Sequence, residues 1–386
     1  MTQQQVDLPQ PVSFRSLERP YYTSPEIFDT ELDRVVARQW ILFGHVSEVA
    51  EPRDVLVRLM GVESVIVTRD NEGELHAFFN VCRHRGSQIC DLGKMQAKRL
   101  VCPYHQWTYS LNGNLAGAPH MRDGEGINYS ELGLRPVHLE VWQGFIFVAL
   151  GEEPPSQTVA DGVRGAEEHV EVHELEYLAH AHQISYDVDC NWKLLIENFL
   201  ECYHCPGSHP ELCSVMLPIT DDMTAFEGID AALAPTGFNF GAVPLPDGVV
   251  SQTMTGQAAS KRPLGRVADQ AELPATVGIV LNPMMSAIQV FPDYVVTHRM
   301  MPTAVDRTVL LCDWFVHPEA QEGVDYQLED LIALWHRTNE QDIELSERNQ
   351  RGVNSRAYIP GPNHVRREPA IHGTLELYKE LMNAGG

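Results

Sequence analysis

The chain has 386 residues, 44% of them hydrophobic, enough for two or three separate cores. A formal charge of −25 at pH 7 argues against nucleic acid or anionic membranes as partners, since both repel an acidic surface. No apolar run approaches a membrane span, and the polar first ten residues lack a basic, apolar leader, so a cytoplasmic protein is expected.

Residues 1–40 read as a helical entry segment packed on the C-terminal half of the chain. Ser24-Pro25-Glu26 supplies an N-cap and a first-turn proline, and the helix is predicted to run towards Trp40. From there the pattern over 41–150 is all-β. Val55–Met60, Ser64–Thr68, Leu75–Val81, Leu100–Val101, Trp107–Leu111 and Val137–Leu150 are rich in β-branched and aromatic residues and bounded by Gly, Asn and Asp. Among them stand Cys82-Arg83-His84 and, after seventeen residues, Cys102-Pro103-Tyr104-His105, with a hairpin turn at Asn112-Gly113. Two thiolates and two imidazoles on separate loops can hold zinc. They can also hold a 2Fe–2S cluster whose second iron carries two histidines, the Rieske arrangement. Zinc fingers usually pair Cys with Cys and His with His, so the alternation here favours the cluster.

A loop-like GEEPPS (151–156) opens a second unit over 151–386. After an acidic stretch, Glu167–Glu176, come a strand, His182–Asp189, and a helix, Lys193–His204, ended by Pro206-Gly207. By helical period Glu197, Glu201 and His204 share a face, with Leu194 and Asn198 beside them. His204 and His209 with one carboxylate would make a non-haem Fe(II) oxygenase set. For an isolated pair of histidines a solvated surface helix is the better reading; the upstream cluster motif reverses that preference. Residues 217–275, rich in Gly, Pro and Ala, predict loops over the site. Strands resume at Val277–Val280, Ser286–Phe291, Tyr294–Met300 and Thr308–Val316. A long helix, Tyr326 to about Arg351 and capped by Gly352, offers the missing carboxylate. Period groups Asp342 with Trp335, Asn339, Leu345 and Asn349 but does not select it over Glu344 or Glu347. The eight cysteines read as ligands and buried thiols, not disulfides, with Cys202 and Cys205 as packing residues.

The motifs CRHRG (82–86), CPYHQWTY (102–109) and NWKLLIENFLECYHCPGSH (191–209) resemble those of the large oxygenase subunit of Rieske non-haem iron oxygenases. The likeness runs over essentially the whole chain, with Gln106 where the family commonly has glycine. ECYHCPGSHPEL (201–212), EGVDY (322–326) and TNEQDIELSERNQRGVNSRAYIPGP (338–362) are most similar to the quaternary-ammonium subgroup, the glycine betaine oxygenases and stachydrine demethylases. The resemblance implies an α+β fold: an all-β Rieske domain, then a helix-grip catalytic domain of antiparallel sheet and flanking helices. It implies Cys82 and Cys102 on one cluster iron, His84 and His105 on the other, and His204, His209 and Asp342 on a mononuclear iron. Glu201 would bridge an iron histidine to the cluster of a neighbouring chain in a homotrimer. It lies one residue closer to the upstream Asn than the family's usual Asp. Asn198 would lie near the iron without binding it. The implied partners are O2, a small substrate and a separate NAD(P)H-dependent flavin and iron–sulfur reductase.

The implied reaction is hydroxylation of an N-methyl group with release of formaldehyde. Aromatic-ring dihydroxylation is the alternative enzyme, and an electron-transfer protein without the second iron is the non-enzymatic one. A quaternary cation binds through aromatic faces, for which Tyr203, Phe238, Phe240, Phe291 and Trp314 are candidates; Arg299, His298 or Asn282 could meet a carboxylate.

Overall fold

The Ser24 hydroxyl accepts the Ile27 amide and starts the helix Pro25–Arg34, which gives way to a short 3-10 turn, Val36–Arg38, before reaching Trp40. The computed structural model describes residues 14–124, 126–217, 238–281 and 286–384; Asn282 lies outside them. Ten strands follow this helix among the described residues: β1 (Ile41–His45), β2 (Asp54–Met60), β3 (Glu63–Arg69), β4 (Leu75–Phe79), β5 (Gly93–Gln96), β6 (Leu100–Val101), β7 (Thr108–Tyr109), β8 (Leu115–Gly117), β9 (His138–Trp142) and β10 (Phe145–Ala149). They form antiparallel sheets ordered β1-β10-β9, β4-β3-β2-β5 and β6-β7-β8. The run Val137–Leu150 is two strands, because Gln143 and Gly144 take φ of 50° and 78° and fold it into a hairpin.

The later strands among the described residues form one six-stranded antiparallel sheet, ordered β11-β16-β15-β14-β13-β12. Its strands are β11 (Ala179–Val188), β12 (Phe238–Val243), β13 (Thr276–Leu281), β14 (Ser286–Val290), β15 (Tyr294–Ala304) and β16 (Arg307–Val316). β12 falls in the stretch expected to be loops; its partner β13 supplies the hydrogen bonds that its Gly- and Pro-rich surroundings do not announce. On one face Ala242, Val277, Ile279, Leu281, Ile288 and Val290 bury into a core shared with Trp40, Phe145 and Phe315. The helices Trp192–Phe199 and Leu328–Val353 pack together, the first against β15 and the second against β11. The long helix continues through Gly352 to Val353, so Gly352 is not its cap. A helix absent from the sequence reading, Pro369–Asn383, closes the chain.

Two buried ionic clusters hold this arrangement. Glu31 accepts from Lys193 Nζ (2.6 Å), Trp192 Nε1 (2.8 Å) and the Tyr378 hydroxyl (2.5 Å), clamping the Trp192–Phe199 helix between the helices Pro25–Arg34 and Pro369–Asn383. At the seam of the two sheet systems, Arg58 pairs with Glu48 (2.5 Å) and Arg299 with Asp313 (2.5 Å). Both guanidinium groups also donate to the Phe43 carbonyl at 2.7 Å. No side chain fits at Gly44 beside them, where a Cβ would stand 2.3 Å from Arg58 Nη1.

Candidate metal centres and cavity

The two cysteine–histidine loops have the same backbone plan. The Cys82 amide donates to the Ser87 carbonyl and the Gly86 amide returns to the Cys82 carbonyl; Cys102, Trp107 and Gln106 repeat the pattern. In both loops the fourth residue after the cysteine is left-handed, Gly86 at φ 74° and Gln106 at φ 59°. Gln106 therefore keeps a conformation that glycine adopts without strain. The plan turns the thiols inward, with Cys82 and Cys102 3% and 1% exposed, and leaves His84 and His105 half-buried at the tip, ring centroids 4.6 Å apart. Tyr109 tethers the first loop, its hydroxyl 3.3 Å from Cys82 Sγ and accepting the Arg83 amide at 3.0 Å. Trp107 stacks on His84, and the buried Nδ1 of His84 has no protein partner. Inward sulfurs, outward imidazoles and an orphaned ring nitrogen suit a 2Fe–2S cluster with its histidine-bound iron towards the surface.

The second set lies between the two packed helices. The helix that opens with Asn191 as N-cap ends at Phe199, five residues short of the expected His204. Glu201 explains the early stop, because its carboxylate accepts the Tyr203 and His204 amides and competes with helical carbonyls. Glu197 consequently does not share a face with Glu201 and His204. It points into the core, donor-bonded by the Tyr22 hydroxyl at 2.7 Å, and burial lifts its pKa to about 7. Cys202 and Cys205, expected as packing residues, are joined in a disulfide across this loop; their Cα atoms, three residues apart in sequence, stand 4.9 Å from each other.

His204 Nε2, His209 Nε2 and Asp342 Oδ1 converge on one point, separated by 3.0, 3.1 and 2.9 Å. Burial distinguishes Asp342, 5% exposed, from the exposed Glu344 and half-buried Glu347; Leu345 and Asn349 leave that face to Ser346 and Gln350. Each imidazole is oriented through its other nitrogen. His204 Nδ1 meets Glu201 Oε1 at 2.6 Å, and His209 Nδ1 meets Gln341 Oε1 at 2.7 Å, with Gln341 held by Glu211. Gln341 escaped the sequence reading; the need of a buried ligand histidine for an outer partner is the signal that could have found it. Burial alone would lower the His204 pKa, but hydrogen bonds to Asp342 and Glu201 raise it to about 9. The surroundings draw positive charge, and one divalent cation would satisfy all three converging atoms. Two imidazoles and one carboxylate with open sides suit Fe(II). Asn198 Nδ2 lies 3.4 Å from His204 Nε2.

A cavity of about 470 Å³ opens on these atoms. Phe291 and Trp335 line it, joined through Tyr294, which stacks on Phe291 and accepts from Trp335 Nε1 at 3.0 Å. Of the expected aromatics among the described residues, Phe291 and Phe240 border it, and the Phe291 side chain is itself fully buried. Tyr203 is exposed beneath the Arg367 guanidinium, Trp314 is wholly buried in the sheet, and Phe240 turns to the opposite core. The Phe238 side chain lies outside the described residues. Arg299 is bound to Asp313 and His298 to Asn339, so neither is available to a substrate carboxylate; Arg367 lines the cavity instead. A larger cavity, about 800 Å³, follows the seam between β2, β5, β11 and β16 and contains none of the converging ligand atoms. Among the described residues no helix is long and apolar enough to cross a membrane.

Residues 39–137 match the Rieske 2Fe–2S domain family, and residues 175–384 match the ring hydroxylating alpha subunit catalytic domain. The chain is 36% identical over 397 aligned positions to a glycine betaine monooxygenase oxygenase subunit of Pseudomonas aeruginosa, covering 95% of this chain and 89% of that one. It is 35% identical to the same subunit of Chromohalobacter salexigens, at 95% and 86% coverage. A solved quaternary ammonium Rieske monooxygenase superposes with a TM-score of 0.76 at 24% identity, covering 97% of each chain.

Proposed function

We propose that this chain, which belongs to the Rieske ring-hydroxylating oxygenase family, is the terminal oxygenase component of a monooxygenase that demethylates a small quaternary ammonium compound, glycine betaine or a proline betaine. The observation that carries the reading is the convergence of His204, His209 and Asp342 on a cavity walled by Phe291 and Trp335. A permanent cation offers no hydrogen to donate, so aromatic faces are what such a methylammonium group requires. The named relatives weigh the same way, against ring dihydroxylation and against a purely electron-carrying role.

In this reading Cys82 and Cys102 hold one cluster iron, His84 and His105 the other, and His204, His209 and Asp342 the mononuclear Fe(II). Bound there, the metals supply stored electrons and the activation of O2. Glu201 keeps the His204 ring turned so that Nε2 faces the cavity, and Gln341 does the same for His209. Phe291 and Trp335 seat the cation with one N-methyl group towards the three ligands. One oxygen atom of O2 enters that C–H bond and the other leaves as water, consuming two electrons and two protons. The N-hydroxymethyl product releases formaldehyde, a proton and the tertiary amine. A separate NAD(P)H-dependent flavin and iron–sulfur reductase supplies the electrons. The working assembly is a homotrimer in which the exposed cluster tip of one chain meets Glu201 of the next.

The test is formaldehyde release with reductase present. Glycine betaine and proline betaine should give formaldehyde coupled to O2 uptake. Coupled turnover of benzoate-like acids with inert betaines would transfer the protein to the dioxygenases. An iron content of about three per chain is expected from one two-iron cluster and one mononuclear site, against two for an electron carrier.

A further inference from the structure

The cavity floor is formed by the face of β12, β13 and β14 opposite the core, and two glycines sit side by side in it. Gly241 pairs with Gly278 and Gly278 with Gln289, so one row across three strands reads Gly-Gly-Gln, all three lining the cavity. Glycine in a strand interior costs stability, and the usual reasons for it are missing at Gly278. It does not have the positive φ that would demand glycine. Nor does a neighbour crowd it: a Cβ built there meets no heavy atom within 4 Å, whereas one at Gly113 would stand 2.3 Å from the Phe78 ring. What remains is close approach of a bound molecule. On the same face, Thr276 Oγ1 and Gln289 Oε1 are buried without a protein partner, so polar groups are left for a ligand to satisfy.

Resting on the reading of this cavity as a quaternary-ammonium site, we propose that Gly278, with Gly241 beside it, is a specificity notch. It takes the ring or chain of a betaine bulkier than glycine betaine, while the methylammonium end lies at Phe291 and Trp335. A proline betaine lays its ring over the bare strand; glycine betaine has nothing to place there.

The experiment uses the metal-loaded protein and Gly278→Ala and Gly278→Val variants, with binding of glycine betaine and proline betaine followed by calorimetry. Cluster absorbance and iron content report that each variant is folded and loaded. Gly278→Val should weaken proline betaine at least about tenfold more than glycine betaine, the discrimination expected when a side chain fills space for a few carbons, with Gly278→Ala between. Equal weakening of both compounds within about twofold, or no weakening, overturns the notch. If neither betaine binds the unmodified protein, the quaternary-ammonium reading falls by itself. The notch is then scored on benzoate and naphthoate: selective loss of the larger acid supports it, and equal effects overturn it.

Discussion

Glu201 is the residue through which the proposed iron centre is most directly adjustable without touching a ligand. Its Oε1 is 2.6 Å from His204 Nδ1 and its Oε2 accepts the backbone amides of Tyr203 and His204. Glu201→Gln keeps an acceptor of nearly the same shape and removes the charge. A hydrogen bond to a charged group contributes about 1.5–3 kcal/mol and a neutral one about 0.5–1.5 kcal/mol. The substitution therefore weakens the hold on the His204 ring by about 1–1.5 kcal/mol, or about five- to tenfold in Fe(II) affinity. Glu201→Ala also frees the two amides and the loop, which puts it near the hundredfold end of outer-sphere losses, about 100-fold. The assay is Fe(II) titration of protein stripped of mononuclear iron, with cluster absorbance as the internal control. Affinities of Gln and Ala variants equal to the parent within about twofold would refute the orienting role. The bridge has its own readout: single-turnover electron transfer from reduced cluster to iron should slow in Glu201→Gln, and an unchanged rate would sink it.

Asp342→Ala should remove mononuclear iron and turnover while preserving the cluster spectrum, and Cys102→Ser should remove the cluster's visible absorption; a fully active Asp342→Ala protein would pass the carboxylate's role to another acid. Gln106→Gly relieves a left-handed residue and should raise the thermal midpoint, with a gain of about 0.5–1 kcal/mol after glycine's extra chain entropy. A lower midpoint in the cluster-loaded protein would contradict it. Burial lowers the His45 pKa to about 4, against hydrogen bonds in which Nδ1 accepts the Ser47 amide and Nε2 donates to the Leu175 carbonyl. The unfolded imidazole protonates near pH 6.5, so this depressed pKa costs nothing at pH 7 and up to about 3 kcal/mol by pH 4. Denaturant midpoints of His45→Gln should fall less steeply than those of the parent as pH drops from about 6.5 to 4; parallel curves would refute the assignment.

The seam between the sheet systems shows why single changes there say little about folding strength. Arg299, Glu48 and Asp313 are buried and the Arg58 side chain is nearly so, and two positive charges face two negative ones. A balanced cluster of this kind pays desolvation and recovers it mainly through geometry, whereas deleting one member strands a buried charge. The Phe43 carbonyl, accepting from both arginines, ties β1 to β15 through this cluster. Apolar residues would bury the seam as well; they would not pin that carbonyl.

The candidate ligand types could be named from the sequence because thiolate and imidazole chemistry restricts the choice and the cysteines and histidines sit in short motifs. In the second sheet β13 was legible because it alternates, with Val277, Ile279 and Leu281 buried and Thr276, Gly278 and Val280 towards the cavity, whereas β12 was not. The last helix is marked in the sequence by a first-turn Pro369 followed by Ile371, Leu375 and Tyr378 at helical spacing. Other features depend on partners distant in sequence. Nothing near Asp342 separates it from Glu344 until the Trp192–Phe199 helix and the loop after it bury one side of the long helix. The end of that shorter helix is set by Glu201 turning back on its own backbone, an outcome that helical period cannot register. Gly278 is the extreme case. In sequence it is a weak residue inside a strand; only the register of β12, β13 and β14 places it beside Gly241 and across from Gln289, where a missing side chain becomes space. Ligand chemistry is written locally and can be read locally. The shape of a cavity is a property of register, and register is fixed by pairings between segments far apart in the chain.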